Sequence, residues 1–323
     1  MLNSTILIVS VVLDYILGDP PNWPHPVRFI GYIIKKYEKL IRSTKWMNLR
    51  FGGFLLTGGT LITVVGVSYV ILYIAENIHF AFKIIIEIYL VYSLLAGKCL
   101  DVETMKVYNA LEENDLQKGR QMLSYLVGRH TSQLSNEEII RGAVETVAEN
   151  TIDGVLAPLF YLALGFYFRI PVQGILLYKT INTLDSMVGY VQEPYREIGY
   201  ASAKLDDIAN YIPARLGSII MILSGMILGY NWRNGIRILK RDRRNHKSPN
   251  CGYPESAVAG LLEVQLGGTN TYFGEVVCKP TIGNAIKKLK PEYIKDTIRI
   301  MYGAEAIVVL VMIIGFTLCK FTL

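Results

Sequence analysis

Residues 53–75, GFLLTGGTLITVVGVSYVILYIA, carry no charged side chain. A helix needs about 20 apolar residues to cross the hydrocarbon core of a bilayer, so this stretch predicts a membrane span. The rest of the chain agrees. It has 323 residues, 51% of them hydrophobic, and a mean hydropathy of +0.32, too apolar for an ordinary soluble enzyme and long enough for several spans. Leu2 to Leu17 is apolar except for Asp14, and no Lys or Arg precedes Arg28, so it reads as a retained first helix rather than a secretory signal. Further spans are expected over residues 80–97, 155–178, 212–230 and 304–319. The fold class that follows is all-α, a polytopic helical membrane protein with cytoplasmic helical loops. No repeat or linker divides the chain, which reads as a single membrane-embedded unit over 1–323.

Charge orients this scheme. Between residues 28 and 50, Arg28, Lys35, Lys36, Lys39, Arg42, Lys45 and Arg50 stand against Glu38 alone, which places that loop on the cytoplasmic side. A second basic block, RNGIRILKRDRRNHK at 233–247, lies beside an apolar segment with no nucleic-acid module near it, so it points to topology, lipid headgroups or an anionic substrate rather than nucleic acid. Cys99, Cys251, Cys278 and Cys319 include no CxxC pair and imply neither a disulfide framework nor a zinc site. His25, His79, His130 and His246 lack HExxH spacing, and Walker A, GxSxG and GxGxxG patterns are absent. Any nucleotide chemistry must therefore use a fold outside those motifs.

The chemistry concentrates at residues 143–158, AVETVAENTIDGVLAP. Ser135 caps a helix whose first turn holds Glu137 and Glu138; on that helix Glu145, Glu149 and Asp153 recur every four residues and share one face. Carboxylates so close repel unless they share a cation or protons. With Asn150 adding an amide oxygen, the set suits magnesium; the bland alternative is a solvated acidic face. Asn150, Thr151, Asp153 and Gly154 are turn formers expected to end or break the helix. Arg169 and Pro171 interrupt residues 155–178, which leaves a single span or a re-entrant hairpin; the hairpin, with a shared cytoplasmic face, is favoured because irregular backbone at membrane depth is tolerated where it lines a cavity.

Two more acid-and-amide clusters fall in the polar loop expected over 179–211: Asn182 with Asp185, and Asp206 and Asp207 with Asn210. Lys179, Arg196, Lys204 and Arg215 supply cations nearby. Carboxylates holding magnesium while cations hold phosphate oxygens describes a metal–phosphate site. Two loops add to it. After His246 and Lys247, Ser248, Asn250 and Gly252 around Pro249 form a polar turn before a helix expected over 255–266; Gly267-Gly268 stops it, and the amides of that turn could face an anion. LGDPPNWPHPVRFIG at 17–31 is stiffened by prolines and either holds His25 and Arg28 over a cavity mouth or simply terminates the first helix.

The stretches DYILGDPPNWPHPVRFIG, EIIRGAVETVAENTIDGVLAPLFY, YKTINTLDSMVGY, YREIGYASAKLDDIANYIPARL and HKSPNCGYPESAVAGLLEVQLGG, in this order, resemble the CobD/CbiB family of cobalamin-biosynthesis membrane proteins, the adenosylcobinamide-phosphate synthases. The resemblance implies ATP- and magnesium-dependent amide formation between adenosylcobyric acid and (R)-1-aminopropan-2-ol phosphate or a related amino alcohol phosphate. The corrinoid is then a substrate, ATP a cosubstrate and Mg2+ the cofactor. The expected location is the cell membrane, multi-pass, with the active site facing the cytoplasm and other late-stage cobalamin-biosynthesis membrane enzymes as partners. On this reading Glu145, Glu149, Asp153, Asp185, Asp206 and Asp207 are metal ligands or the base, with Glu145, Glu149, Asp153 and Asp206 the metal set. His25, Arg28, Arg141, Asn150, Lys179, Asn182, Asn210, Arg215, His246, Lys247, Ser248 and Asn250 are the substrate and phosphate contacts. The rival enzyme is a magnesium-dependent intramembrane prenyl- or phosphatidyl-transferase, since residues 153–157, DGVLA, begin like DGxxAR, but Pro158 replaces the Arg and no GxxxDxxxD follows. A non-catalytic AmpE-like membrane sensor would instead show incomplete acidic clusters.

Overall fold

The computed structural model describes residues 2–20, 22–44, 46–128, 130–272 and 275–318. Pro21 and Lys45 of the two N-terminal loops, and Cys319, lie outside the described residues. In chain order the helices are α1 (Leu2–Leu17), α2 (Pro26–Ser43), α3 (Leu49–Ile78), α4 (Phe80–Tyr92), α5 (Gly97–Glu112), α6 (Leu116–Ser124) and α7 (Asn136–Asn150). A π-helical turn, Thr151–Leu156, joins α7 to α8 (Ala157–Tyr167); then come α9 (Pro171–Val188), α10 (Tyr200–Ala209), α11 (Tyr211–Ile227), α12 (Trp232–Asp242) and α13 (Gly252–Leu262). An antiparallel hairpin of β1 (Gln265–Tyr272) and β2 (Glu275–Gly283) precedes α14 (Glu292–Leu318). The chain falls into two compact units: Met1–Ala96 with Ala157–Asn210 and Val311–Leu323, and Gly97–Leu156 with Tyr211–Leu310.

Helices Leu49–Ile78, Phe80–Glu112, Asn136–Tyr167 and Glu292–Leu318 are long and apolar enough to cross a membrane, and Tyr200–Ala209 with Tyr211–Ile227 make a fifth if counted as one span. The protein is thus all-α in character, apart from one hairpin, and multi-pass by composition. On α3, Ile62, Tyr69 and Ile74 are 76%, 61% and 53% exposed, an uncovered apolar surface suited to lipid.

In the first unit, α8 and α9 fold back on each other. Arg169 takes the left-handed turn conformation at φ 61°, and Pro171 starts α9, where its missing N–H is harmless. The two helices pack so closely that a Cβ on Gly174 would lie 2.5 Å from the Tyr161 carbonyl oxygen. Residues 155–178 are therefore a helical hairpin rather than one straight helix. The segment after Lys179 is less of a loop than expected, because α9 runs on to Val188 and α10 occupies 200–209. The core of this unit gathers Leu7, Ile30, Ile34, Leu56 and Tyr178, all fully buried.

In the second unit, the expected break after Asn150 is a change of pitch instead. Pro158 has no N–H to return to residue 154, and its ring presses on that carbonyl; the wider π turn just before it accommodates both while the helix continues into α8. The helix expected to stop at Gly267-Gly268 ends earlier, at Leu262, capped by Glu263 in the left-handed conformation. The glycines, with φ 76° and 83°, sit instead at an irregularity in β1. Ile139, Val144 and Val147 of α7, Val258 of α13 and Met301 of α14 are among the residues fully buried in this unit.

Candidate active site

Helix α7 starts with the predicted Ser135 cap, which Glu138 makes reciprocal. The Ser135 hydroxyl accepts from the Glu138 N–H, and the Glu138 carboxylate accepts from the Ser135 N–H at 2.8 Å, so each closes the other's open valence. From there to Val155 the residues that are not buried are Arg141, Glu145, Glu149, Asn150 and Asp153. The rest of this surface packs inward. A solvated acidic face would expose a broad arc; this is a narrow, half-buried stripe with one cation and three carboxylates along it. The π turn keeps Asp153 in line, because an ordinary helix rotates about 40° for each four-residue step and the wider turn takes up that drift.

Distant parts of the second unit close on the stripe. The Gly267 N–H donates to Glu145 Oε1 at 2.8 Å, so the Gly-Gly segment does present an amide to an anion, and that anion is the protein's own carboxylate. Arg141 lies between Glu138 and Glu145, its nitrogens 3.9 Å from each carboxylate, and a Cβ on Gly268 would sit 3.4 Å from its Nη1. One turn on, the Cys251 thiol donates to Glu149 Oε1 at 2.8 Å. Burial first, then the charges of Glu149 and Asp153, push that thiol well above its ordinary value, so it stays an S–H donor. The Asn150 amide nitrogen donates to the Thr146 carbonyl at 2.9 Å.

The loop that carries Cys251 is fixed by its own side chains. His246 Nδ1 accepts from the Ser248 N–H at 3.0 Å, and the Ser248 hydroxyl accepts from the N–H groups of Asn250 and Cys251 at 3.2 and 3.4 Å. Arg215 joins α11 to this loop. Its guanidinium donates to the Tyr211 carbonyl at 2.6 Å and to Asn250 Oδ1 at 3.3 Å, and it lies over the rings of Tyr211 and Tyr253. Lys247, in the same loop, is exposed. The structure thus brings Arg141, Glu145, Glu149, Asp153, Arg215, His246, Ser248 and Asn250 into one neighbourhood of the second unit.

The remaining predicted residues belong to the first unit. Lys179, Asn182 and Asp185 are half-exposed along the C-terminal half of α9, at the one-turn spacing the sequence predicts. On α10, Asp206 Oδ2 accepts from the Asn210 amide at 3.0 Å, and Asn210 Oδ1 accepts from the Tyr178 hydroxyl at 2.9 Å. Asp207 pairs with Lys204 at 3.1 Å. His25 serves as the N-cap of α2, accepting from the Val27 N–H at 3.2 Å while Nε2 meets Asp19 at 3.3 Å, so it starts a helix rather than ending one; Arg28 is exposed one turn later. Sequence reasoning missed Cys251 and the two tyrosines that hold Arg215, and it did not connect the Gly267 amide with Glu145. The signal for Cys251 was its place inside the SPNCGYP turn rather than any cysteine spacing.

These features define a multi-pass helical membrane protein with an acid-striped helix under a polar, cation-bearing loop. The family described as CobD/Cbib protein matches residues 7–301. Proteins named cobalamin biosynthesis protein CobD from Clostridium tetani and Clostridium acetobutylicum are 43% and 46% identical over 315 residues, covering 96% and 95% of this chain and 97% and 96% of theirs. The protein of the same name from Listeria monocytogenes is 47% identical over 299 residues, 92% of this chain and 93% of its own. No solved structure matches. The chain belongs to the CobD/CbiB family, and its role lies in cobalamin biosynthesis.

Proposed function

We propose that this protein is an ATP- and magnesium-dependent amide synthase, with residues 1–323 as one catalytic unit facing the cytoplasm. It joins the free propionate carboxyl of adenosylcobyric acid to the amine of (R)-1-aminopropan-2-ol phosphate, or a related amino alcohol phosphate, to give adenosylcobinamide phosphate. The observation that carries this reading is the half-buried stripe of Glu145, Glu149 and Asp153 with Arg141, Arg215 and the 246–251 loop around it.

Among the described residues no three His, Cys, Asp or Glu side chains form a ready-made metal cage. Magnesium does not need one: it is held by one or two carboxylates and completed by water and substrate phosphate. Glu149 and Asp153 are hard oxygen donors four residues apart on one half-buried face, and they fit such an open site. Bound there, the ion would neutralise phosphate charge as it moves between oxygens. Glu145, tied to the Gly267 N–H and beside Arg141, positions the stripe. Arg141, Arg215, His246 and Lys247 offer donors to phosphate or to the corrin carboxamides. The γ-phosphoryl group passes to a propionate oxygen, giving an acyl phosphate and ADP. The amine, relieved of its extra proton by a carboxylate, attacks the acyl carbon; the C–O bond breaks and phosphate leaves.

The purified protein in detergent, given adenosylcobyric acid, aminopropanol phosphate, ATP and Mg2+, should yield the amide with one ADP per bond, read by mass spectrometry. Absence of both product and corrin binding overturns the proposal, and formation of a lipid product transfers the site to the phosphatidyl-transferase class.

A further inference from the structure

Helix α2 and helix α3, both in the first unit, form an open groove of about 610 Å³ whose lining includes Phe29, Tyr32, Lys36, Lys39 and Leu40 from α2 and Thr63 from α3. Residues 29, 32, 36 and 40 recur at three- and four-residue steps, so one face of α2 supplies the wall. Phe29, Tyr32 and Leu40 are 46%, 63% and 61% exposed, while the opposite face buries Ile30, Ile34 and Ile41. The Tyr37 hydroxyl meets Thr63 Oγ1 at 2.8 Å and ties the two walls together. The groove is therefore apolar along its length and cationic at Lys36 and Lys39.

The cations on this helix are not equivalent. Arg42 is engaged: it pairs with Glu38 at 2.8 Å and donates to the Pro194 carbonyl at 3.1 Å. Lys35, Lys36 and Lys39 are exposed and form no ion pair among the described residues. Lys36 and Lys39 stand one turn apart on the groove; Lys35 does not line it. The other wall, α3, is long and apolar enough to span the bilayer, so the groove opens along a helix suited to contact with lipid.

We propose that this groove binds an anionic glycerophospholipid. Its phosphate is held between the ammonium groups of Lys36 and Lys39, and an acyl chain lies along Phe29, Tyr32, Leu40 and Thr63. Two unpaired ammonium groups at an apolar trough fit a ligand with a negative head and a long apolar tail. A zwitterionic choline lipid brings its own cation against the lysines and fits less well.

Full-length protein purified in mild detergent would be stripped of lipid and titrated with phosphatidylglycerol and with phosphatidylcholine of the same chains, with binding followed by native mass spectrometry. Phosphatidylglycerol should bind with one-to-one stoichiometry and in preference to phosphatidylcholine. Lys36→Gln/Lys39→Gln should weaken it about tenfold or more, and Leu40→Glu should weaken it as well, while Lys35→Gln, the same charge change off the groove, stays close to the parent. All four positions are exposed, and an unchanged thermal transition confirms folding. Equal binding of the two lipids, parent-like binding by the double variant, or an equal loss in Lys35→Gln overturns the proposal. Capture of an apolar peptide with no uptake of phosphatidylglycerol overturns it too, and makes the groove a protein-docking surface.

Discussion

The α7 stripe of the second unit and the acid-and-amide set on α9 and α10 of the first contain the same residue types but are held in different ways. In the first unit the hydrogen bonds run from Tyr178 to Asn210 to Asp206, between neighbouring helices, and Asn210 is only 2% exposed. A buried polar chain of this kind fixes how two helices meet, because each member left without a partner would be costly. In the second unit the groups that meet the acids come from far along the chain: the Gly267 amide reaches Glu145 and the Cys251 thiol reaches Glu149. A backbone amide and a weak thiol donor hold those carboxylates in place while leaving them only partly buried. The same residue chemistry thus serves cohesion in one region and, on the function proposed above, meets substrate in the other.

The comparison makes unequal predictions. Glu149→Gln keeps the shape of the side chain and removes its charge, so amide synthesis should fall by about 10²-fold or more, with the unfolding midpoint shifted by less than about 2 °C. Retained activity would return the stripe to an ordinary acidic face. Gly267→Ala comes next. Its φ of 76° disfavours any side chain, and the new Cβ would lie 2.4 Å from the Pro280 carbonyl oxygen. It should cost about 1–3 kcal/mol of stability and, by displacing the amide from Glu145, lower turnover more than the lost folded fraction explains. Tyr178→Phe should do the reverse. It leaves the buried Asn210 oxygen without its hydroxyl partner, at about 1–3 kcal/mol, with turnover per folded molecule held within about twofold. A turnover loss equal to that of Glu149→Gln would mean that both regions are catalytic in the same sense.

How much of this was legible in the sequence depended on range. The uncharged run at 53–75, the Ser135–Glu138 cap and the four-residue acid spacing are local patterns, and the structure contains each of them. The hairpin of α8 and α9 was half legible: Arg169 and Pro171 marked the interruption, but the close glycine contact that packs the two helices is a tertiary fact. Asn150 to Gly154 misled, because turn-forming residues inside a helix anchored at both ends change its pitch rather than stop it. Gly267-Gly268 misled similarly, since residues fit for left-handed backbone suit a strand irregularity as well as a helix stop. Cys251 and Gly267 were invisible as partners of Glu149 and Glu145, for nothing in a linear pattern pairs positions a third of the chain apart.

The smallest expected effect, confined to acid pH, concerns what holds the Gly267 hairpin. Asp242, at the end of α12, accepts from the Gly283 N–H at 2.8 Å and from Arg241 at 2.6 and 2.7 Å. Burial pushes its carboxyl up, but the hydrogen bonds from Arg241 and Gly283 outweigh that and hold it below the usual carboxylate range. A depressed folded-state pKa contributes stability that is complete above the unfolded carboxylate value, about 3.9, and is lost as the pH falls through the folded value. Hydrogen exchange at the Leu266 and Ile282 pairing, corrected for intrinsic rates, should therefore lose protection below about pH 4. Asp242→Asn should already show weakened pairing at neutral pH and little further change on acidification. The Tyr178–Asn210 contact, which draws nothing from Asp242, should not respond to that substitution. If Asp242→Asn kept the full acid-dependent loss, the hairpin would be anchored by other carboxylates, and the long-range hold on Glu145 would have to be traced through them instead.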